Sequence, residues 1–286
     1  MHVLVAGCGW LGTALGRALC ARGDRVTGIR RDPGRAAALR AAGIEPLPLD
    51  LSAPGAPGHL PSDLDAIVAC QSSGADTEAA YRSAYVEANR TLLAHAARRP
   101  LRAFVYTGST GVFGQRDGGD VDERTPTAPS GPTASVLVEA ERLVLSAAGR
   151  GTPASIVRLS GLYGPGRAGL ADRVRTGRLA LGPGDEAWMN FCHLDDAVTF
   201  VLAALDRGRP GAVYHGSDAH PARRREVVTW IAARLGMEPP RGEAPPAGPD
   251  RRILSASTRA ELDVALAWPT FREGFAAILP APAAGP

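Results

Sequence analysis

Val3-Leu4-Val5-Ala6-Gly7-Cys8-Gly9-Trp10-Leu11-Gly12 is the stretch whose reading decides the fold. Four apolar residues that stop at a glycine read as a buried parallel strand. From Trp10 to Arg22 the spacing turns helical, with Leu11, Leu15 and Leu19 on one stripe, and Gly23 ends the run. A strand, a glycine turn and a helix in that order aim free N–H groups and a partial positive charge at whatever lies over the turn. Gly7 permits the tight turn, Gly9 lets backbone close on a pyrophosphate, and Gly12 lets the helix lie close to the strand. With Trp10 and Leu11 between them, these glycines predict a dinucleotide site.

The same alternation continues outward. Strands are expected at Val26–Ile29, Glu45–Leu49, Asp65–Cys70, Ala103–Thr107 and Ser155–Leu159. Between them lie helical patterns at Arg35–Ala42 (closed by Gly43), about Asp76–Arg98, and Pro132–Ala148. Six strands alternating with helices predict an α/β fold of Rossmann type, a doubly wound parallel sheet with a small C-terminal substrate-binding region. The expected division is a dinucleotide-binding domain at 1–160 and a mainly substrate-binding region at 161–286, some of whose segments return to the sheet. Helices are expected at Asp195–Leu205 and Arg225–Leu235, a Pro/Gly loop at Pro239–Pro249, and a frayed tail at Pro280–Pro286.

Composition narrows the function classes. The 286 residues are 45% hydrophobic and 21% charged, an ordinary globular balance. A net charge of +3 gives no electrostatic case for nucleic acid or a membrane surface. No apolar run approaches a membrane span, and the chain opens on a strand, so no leader is expected. The four cysteines, Cys8, Cys20, Cys70 and Cys192, have neither metal nor disulfide spacing, which points to a reducing cytoplasm and no metal. None of the 32 basic residues is a lysine. No lysine Schiff base, Walker lysine or Tyr-x-x-x-Lys dyad can therefore exist in this chain.

The end of the second strand discriminates between cofactors. NAD enzymes place an acid there for the ribose 2′-OH. Here the sequence runs Ile29-Arg30-Arg31-Asp32, and two guanidiniums suit a 2′-phosphate. NADP is the expected cofactor, with NAD the alternative. Asp32 is left to bond Arg30 or to cap the next helix.

Further motifs resemble the extended short-chain dehydrogenase/reductases, the NAD-dependent epimerase/dehydratase group, in an atypical branch. They include Asp50-Leu51, Asn89, Thr107-Gly-Ser-Thr-Gly-Val-Phe-Gly114, Arg158-Leu-Ser-Gly-Leu-Tyr-Gly-Pro-Gly-Arg167 and Asn190-Phe-Cys-His-Leu-Asp-Asp196. The resemblance implies that Asp50 accepts from the adenine amino group, with the Leu51 backbone beside it. It also implies that Cys70 and Gln71 line the cofactor, that Asn89 sits behind the site, and that Ser109 bonds the reacting oxygen. Dimerisation through the two long helices is a further implication.

The resemblance breaks at the family's tyrosine–lysine pair. Alignment on Glu139-Ala-Glu141 puts Thr133 at the tyrosine position and Leu137 at the lysine position. No tyrosine lies between Tyr106 and Tyr163. An alcohol without a neighbouring base stays protonated, so Thr133 is limited to hydrogen bonding, with Ser109 or Thr110. Tyr81, Tyr85, His193, Asp120 and Asp122 are candidates for a replacement acid, with Tyr81 taken as the leading one. Arg158 and Arg167 read either as anchors for an acidic substrate group or as loop-bracing ion pairs. Glu139 and Glu141 read as facing solvent or capping neighbouring loops. The expected function is an NADP-dependent oxidoreductase acting on a small carbonyl or imine metabolite. The rivals are a non-redox NADP sensor or scaffold, and an epimerase or cyclase without net hydride transfer.

Overall fold

In the computed structural model, residues 1–183, 185–243 and 248–279 are described. The expected tail at Pro280–Pro286 lies outside them, as does part of the expected loop at Pro239–Pro249. β1 (His2–Ala6) is buried at every position. It pairs in parallel with β2 (Arg25–Arg30) on one side and β4 (Ala66–Ala69) on the other. β3 (Glu45–Pro48) flanks β2, while β5 (Ala103–Ser109), β6 (Ala154–Leu159) and β7 (Val213–Gly216) extend the sheet beyond β4. The order is 3-2-1-4-5-6-7, every pairing parallel.

The sheet has one strand more than the six read from sequence. Val213–Gly216 is four residues long and holds a buried histidine, so it lacks the apolar run that marks the others. It becomes a strand because β6 offers it an open edge to pair with.

Helices cover both faces. α1 (Trp10–Ala21) buries Leu11, Leu15 and Leu19 against Ala197, Val201 and Leu205 of the helix Leu194–Arg207. Each fully buried leucine contributes about 2 kcal/mol, an upper figure because unfolded chains already shield some apolar surface. α2 (Pro33–Ala37) is shorter than the expected helix, and a 3-10 turn at Ala38–Ala42 completes that segment up to Gly43. On the opposite face lies α3, which is α-helical over Glu78–Tyr81, π-helical over Arg82–Glu87, and α-helical again over Ala88–Ala96. Beside it runs α4 (Pro132–Ala148), started by Gly131 and Pro132. Val86, Leu92, Val136, Ala140 and Val144 join these two helices to the sheet.

After β6, α5 (Gly169–Arg175), α6 (Leu194–Arg207), α7 (Arg224–Arg234), α8 (Ala256–Glu261) and α9 (Phe271–Ile278) alternate with paired short strands. A separate apolar cluster of Tyr163, Val174, Phe191, Ile231, Phe271 and Phe275 holds this region together. Among the described residues no helix is long and apolar enough to cross a membrane.

Parallel strands end on one side. Gly7, Arg31, Cys70, Thr110 and Ser160 each follow a strand's carboxyl end, so all five come to one edge of the sheet. The order in which strands are added reverses between β1 and β4, and such a switch point opens the crevice where α/β sheets take their ligands.

Candidate active site

Two cavities occupy that edge. The first, about 310 Å³, runs from Gly7 and Gly9 past Arg30, Arg31, Asp50, Leu51 and Ser52 to Gly74. The second, about 420 Å³, lies between Gly9, Trp10 and Leu11 on one side and Ser109, Thr110, Leu137 and Ser160 on the other. Gly7, Gly9, Gln71 and Ser72 line both, so the two form one path across the switch point.

The three glycines are required for different reasons. Gly7 has φ +89°, and a Cβ there would stand 2.3 Å from the Gln71 Cα. A Cβ on Gly12 would stand 2.4 Å from the Gly7 carbonyl oxygen. Gly9 is the exception, since its Cβ would meet nothing closer than 3.9 Å. Packing within the protein does not require a glycine at 9, and the bare backbone leaves a cradle open at the start of α1. Gly9 precedes α1 without a side-chain cap, and the first turn holds no acid. That suits an anionic ligand.

At the far end of the first cavity Asp32 accepts from the Arg35 N–H at 2.7 Å and caps α2. One oxygen of its carboxylate is thereby engaged by the protein, and the guanidinium side chains of Arg30, Arg31 and Arg35 line the same end of the cavity. Neither Arg30 nor Arg31 is ion-paired among the described residues. Asp50 accepts from both the N–H and the hydroxyl of Ser52, which holds its carboxyl below the usual range. Gln71 donates to Asn89 Oδ1 at 3.2 Å, while its own Oε1 is buried without a partner. Burial drives the Cys70 thiol well up and Cys8 to about 12, so both remain neutral thiols.

At the second cavity Ser109 ends β5, and its hydroxyl oxygen accepts from the Gly111 N–H at 3.0 Å. The serine's own hydrogen remains to donate into the cavity. Thr110 is buried, and its carbonyl takes a 2.8 Å bond from Arg251, 141 residues along the chain. Leu137 closes the wall with an apolar side chain. Trp10 donates to the Pro165 carbonyl at 2.9 Å, and the Arg167 guanidinium sits 5.3 Å from its ring centroid.

The sequence candidates separate accordingly. Gly7, Gly9, Trp10, Leu11, Arg30, Arg31, Asp50, Leu51, Cys70 and Gln71 line the path, as do Ser109 and Thr110. Gly12 lies beneath it, packed on Gly7 and Cys70. Thr133 and Tyr81 line neither cavity. Tyr81 packs on Tyr85 with the rings tilted by 57° and their centroids 5.2 Å apart, and it is Tyr85 that reaches the second cavity.

Glu141 differs from expectation. It is buried, not solvent-facing, and forms a two-pronged 2.8–2.9 Å pair with Arg158. Charges so enclosed are retained together, because losing either strands the other. Arg158 is thus a brace, whereas Arg167 stays exposed at the cavity wall. Glu139 pairs instead with Arg82 at the surface. His193 is buried and its ring pKa lowered by desolvation, and Asp195 and Asp196 hold Trp268 and Ala267. None of these three lines the path. Asp120 and Asp122 also lie off it; Asp120 pairs with Arg252 and Asp122 caps Thr125.

Comparison with known proteins bears on family and fold. Residues 3–215 match the model of the NAD dependent epimerase/dehydratase family. Protein YeeZ of Escherichia coli (strain K12) is 33% identical over 246 residues, covering 83% of this chain and 85% of that protein. A 4-hydroxy-2-methyl-3-oxo-4-farnesyl-3,4-dihydroquinoline-1-oxide ketoreductase of Stigmatella aurantiaca is 29% identical over 252 residues, covering 85% and 75%. Among solved structures, MoeE5 in complex with UDP-glucuronic acid and NAD superposes with a TM-score of 0.81 over 97% of both chains. At 22% identity that likeness concerns the fold. The chain belongs to the NAD-dependent epimerase/dehydratase family of extended short-chain dehydrogenase/reductases, and is an NAD(P)-dependent enzyme of oxidoreductase type.

Proposed function

We propose that this protein is an NADP-dependent reductase of a small carbonyl or imine metabolite, acting in the cytoplasm. The carrying observation is the single path from Arg30 and Arg31, through the cradle at Gly9, to Ser109 and Thr110. Its lining fits a dinucleotide whose 2′-phosphate meets the arginines and whose diphosphate lies on the start of α1. The bare Gly9 and the engagement of Asp32 in a helix cap both favour that group.

When bound, reduced nicotinamide supplies a hydride. The chain supplies position and polarity. Ser109 donates to the reacting oxygen or nitrogen, with Thr110 beside it, and Leu137 keeps that end dry. Thr133 lies off the cavity wall and is left a supporting role at the start of α4. Residues 161–286 contribute Gly161, Leu162 and Arg167 to the wall, and so set which metabolite fits. An open cavity beside Ser109 favours a reductase over a sensor, for which a filled nicotinamide end is expected.

The test is hydride transfer itself. Purified protein with NADPH is expected to reduce at least one member of a panel of ketones, 3-oxo esters and cyclic imines, and NADH to serve at least tenfold less well. Tight NADPH binding with no turnover across the panel counts against the reading.

A further inference from the structure

Reduction of a carbonyl needs a proton as well as a hydride, and α4 brings no acid to the cavity, since Glu139 and Glu141 are paired with Arg82 and Arg158 away from it. Thr133 is off the cavity and Leu137 is apolar. The opposite wall supplies what α4 lacks. There α3 passes into a π-helical stretch over Arg82–Glu87, a form that is rare and frequent at functional sites. Tyr85 sits inside that stretch and lines the same cavity as Ser109, Thr110 and Leu137. Its ring packs on the apolar cluster of Val112, Phe113, Leu137 and Val138. The Ser73 N–H points at the phenol oxygen from 3.4 Å, so the oxygen accepts and its own hydrogen is uncommitted. Burial pushes the Tyr85 phenol up, which keeps that hydrogen in place at neutral pH.

We propose that Tyr85 is the proton donor of the reaction, taking over from α3 the acid role that no residue of α4 fills. This rests on the reductase reading above. As the substrate carbon gains its new C–H bond from the hydride, the C=O π pair moves to oxygen. The Tyr85 O–H bond breaks, and a new O–H bond forms on the former carbonyl oxygen. The phenolate regains its proton from solvent. Tyr81, one turn earlier and off the cavity, serves as the ring against which Tyr85 is held.

The experiment compares Tyr85→Phe and Tyr81→Phe with the parent chain. Loss of a positioned acid costs about 10²–10⁴ in rate. Tyr85→Phe is expected to lower kcat at least 100-fold and to abolish the solvent deuterium isotope effect, with NADPH Kd within twofold of the parent. Tyr81→Phe is expected to keep kcat within fivefold. A readout independent of turnover uses ¹³Cζ-tyrosine NMR of the full chain, assigned through the two variants. Added NADP⁺ is expected to shift the Tyr85 resonance more than that of Tyr81. A parent chain that turns over substrate while Tyr85→Phe loses less than tenfold overturns the assignment, as does a Tyr85 resonance unmoved by NADP⁺. A parent chain that binds NADPH and reduces nothing overturns the reductase reading instead, and the two failures are thereby distinct.

Discussion

The two ends of the path are built on opposite principles. At the glycine turn nearly every residue has a steric or electrostatic reason to be what it is. Gly7 and Gly12 avoid backbone overlaps of less than 2.5 Å, Asp32 caps α2, and Arg30, Arg31 and Arg35 line the far end. At the Ser109 end no lysine is available, and α4 presents the apolar Leu137 to the cavity. Apart from Arg167, the polar groups there are neutral, and they come from β5, α3 and the turn after β6. Holding a charged cofactor fixes residues locally. Chemistry on a small substrate leaves the positions of acids and donors free to move between walls, because only the atom delivered to the cavity matters.

The sharpest way to break this comparison is within the glycine turn. Gly7→Ala sets a Cβ against Gln71 at a positive φ and is expected to destabilise the fold by at least about 3 kcal/mol, read by thermal unfolding. Gly9→Ala meets no protein atom within 3.9 Å and is expected to leave unfolding within about 1 kcal/mol while NADPH affinity falls about 100-fold. Equal destabilisation by both would erase the distinction between the packing glycine and the ligand-facing one.

At the other end, Ser109→Ala removes the hydroxyl proposed to donate to the reacting atom. Its kcat is expected to fall about 100-fold with NADPH binding unchanged in a fluorescence titration. A change confined to KM would assign Ser109 to substrate binding alone.

A smaller effect sharpens the cofactor choice. Replacing Arg30 and Arg31 together by alanine removes the two guanidiniums proposed to meet the 2′-phosphate. NADPH Kd should rise about 10–100-fold and NADH Kd should stay within twofold. If both rise equally, the arginines serve the diphosphate or the fold rather than the 2′-phosphate.

The smallest effect lies away from the path. Asp218 is buried after β7 beside Asp196 and Glu273, and burial raises its carboxyl to about 8, with the His220 N–H offsetting this only in part. The native chain therefore holds this proton between the ordinary value of 3.8 and about 8, whereas the unfolded chain has lost it. That contribution to stability is complete below the ordinary value and is lost as pH rises through about 8. Asp218→Asn is expected to raise Tm at pH 9 by at least about 4 °C and to change nothing at pH 4. A gain that is the same at both pH values would show that packing, not ionisation, governs the site.

Much of the path was legible without coordinates. Local rules sufficed for Gly7 to Gly12, where three residue spacings, a preceding apolar strand and a following leucine stripe all agree. They sufficed also for Arg30 and Arg31, since the end of the second strand meets the first turn in any parallel sheet of this order. They failed where a residue's role depends on a partner far along the chain. Tyr81 and Tyr85 share one helical stripe in sequence, and nothing local says that a π-helical stretch will bring one and not the other to the cavity. Glu141 read as facing solvent or capping a loop because its burial depends on Arg158, in the next strand.

By itself, then, the sequence determined the glycine turn, the parallel sheet around it, the arginines at the second strand and the absence of any lysine. These depend on backbone geometry, side-chain period and composition, which are local. Tertiary structure alone decided that Val213–Gly216 would complete the sheet, that Arg251 would reach Thr110, and which tyrosine would face Ser109. Those outcomes depend on which surfaces are buried together after the chain closes long loops, and no short stretch of residues carries that information.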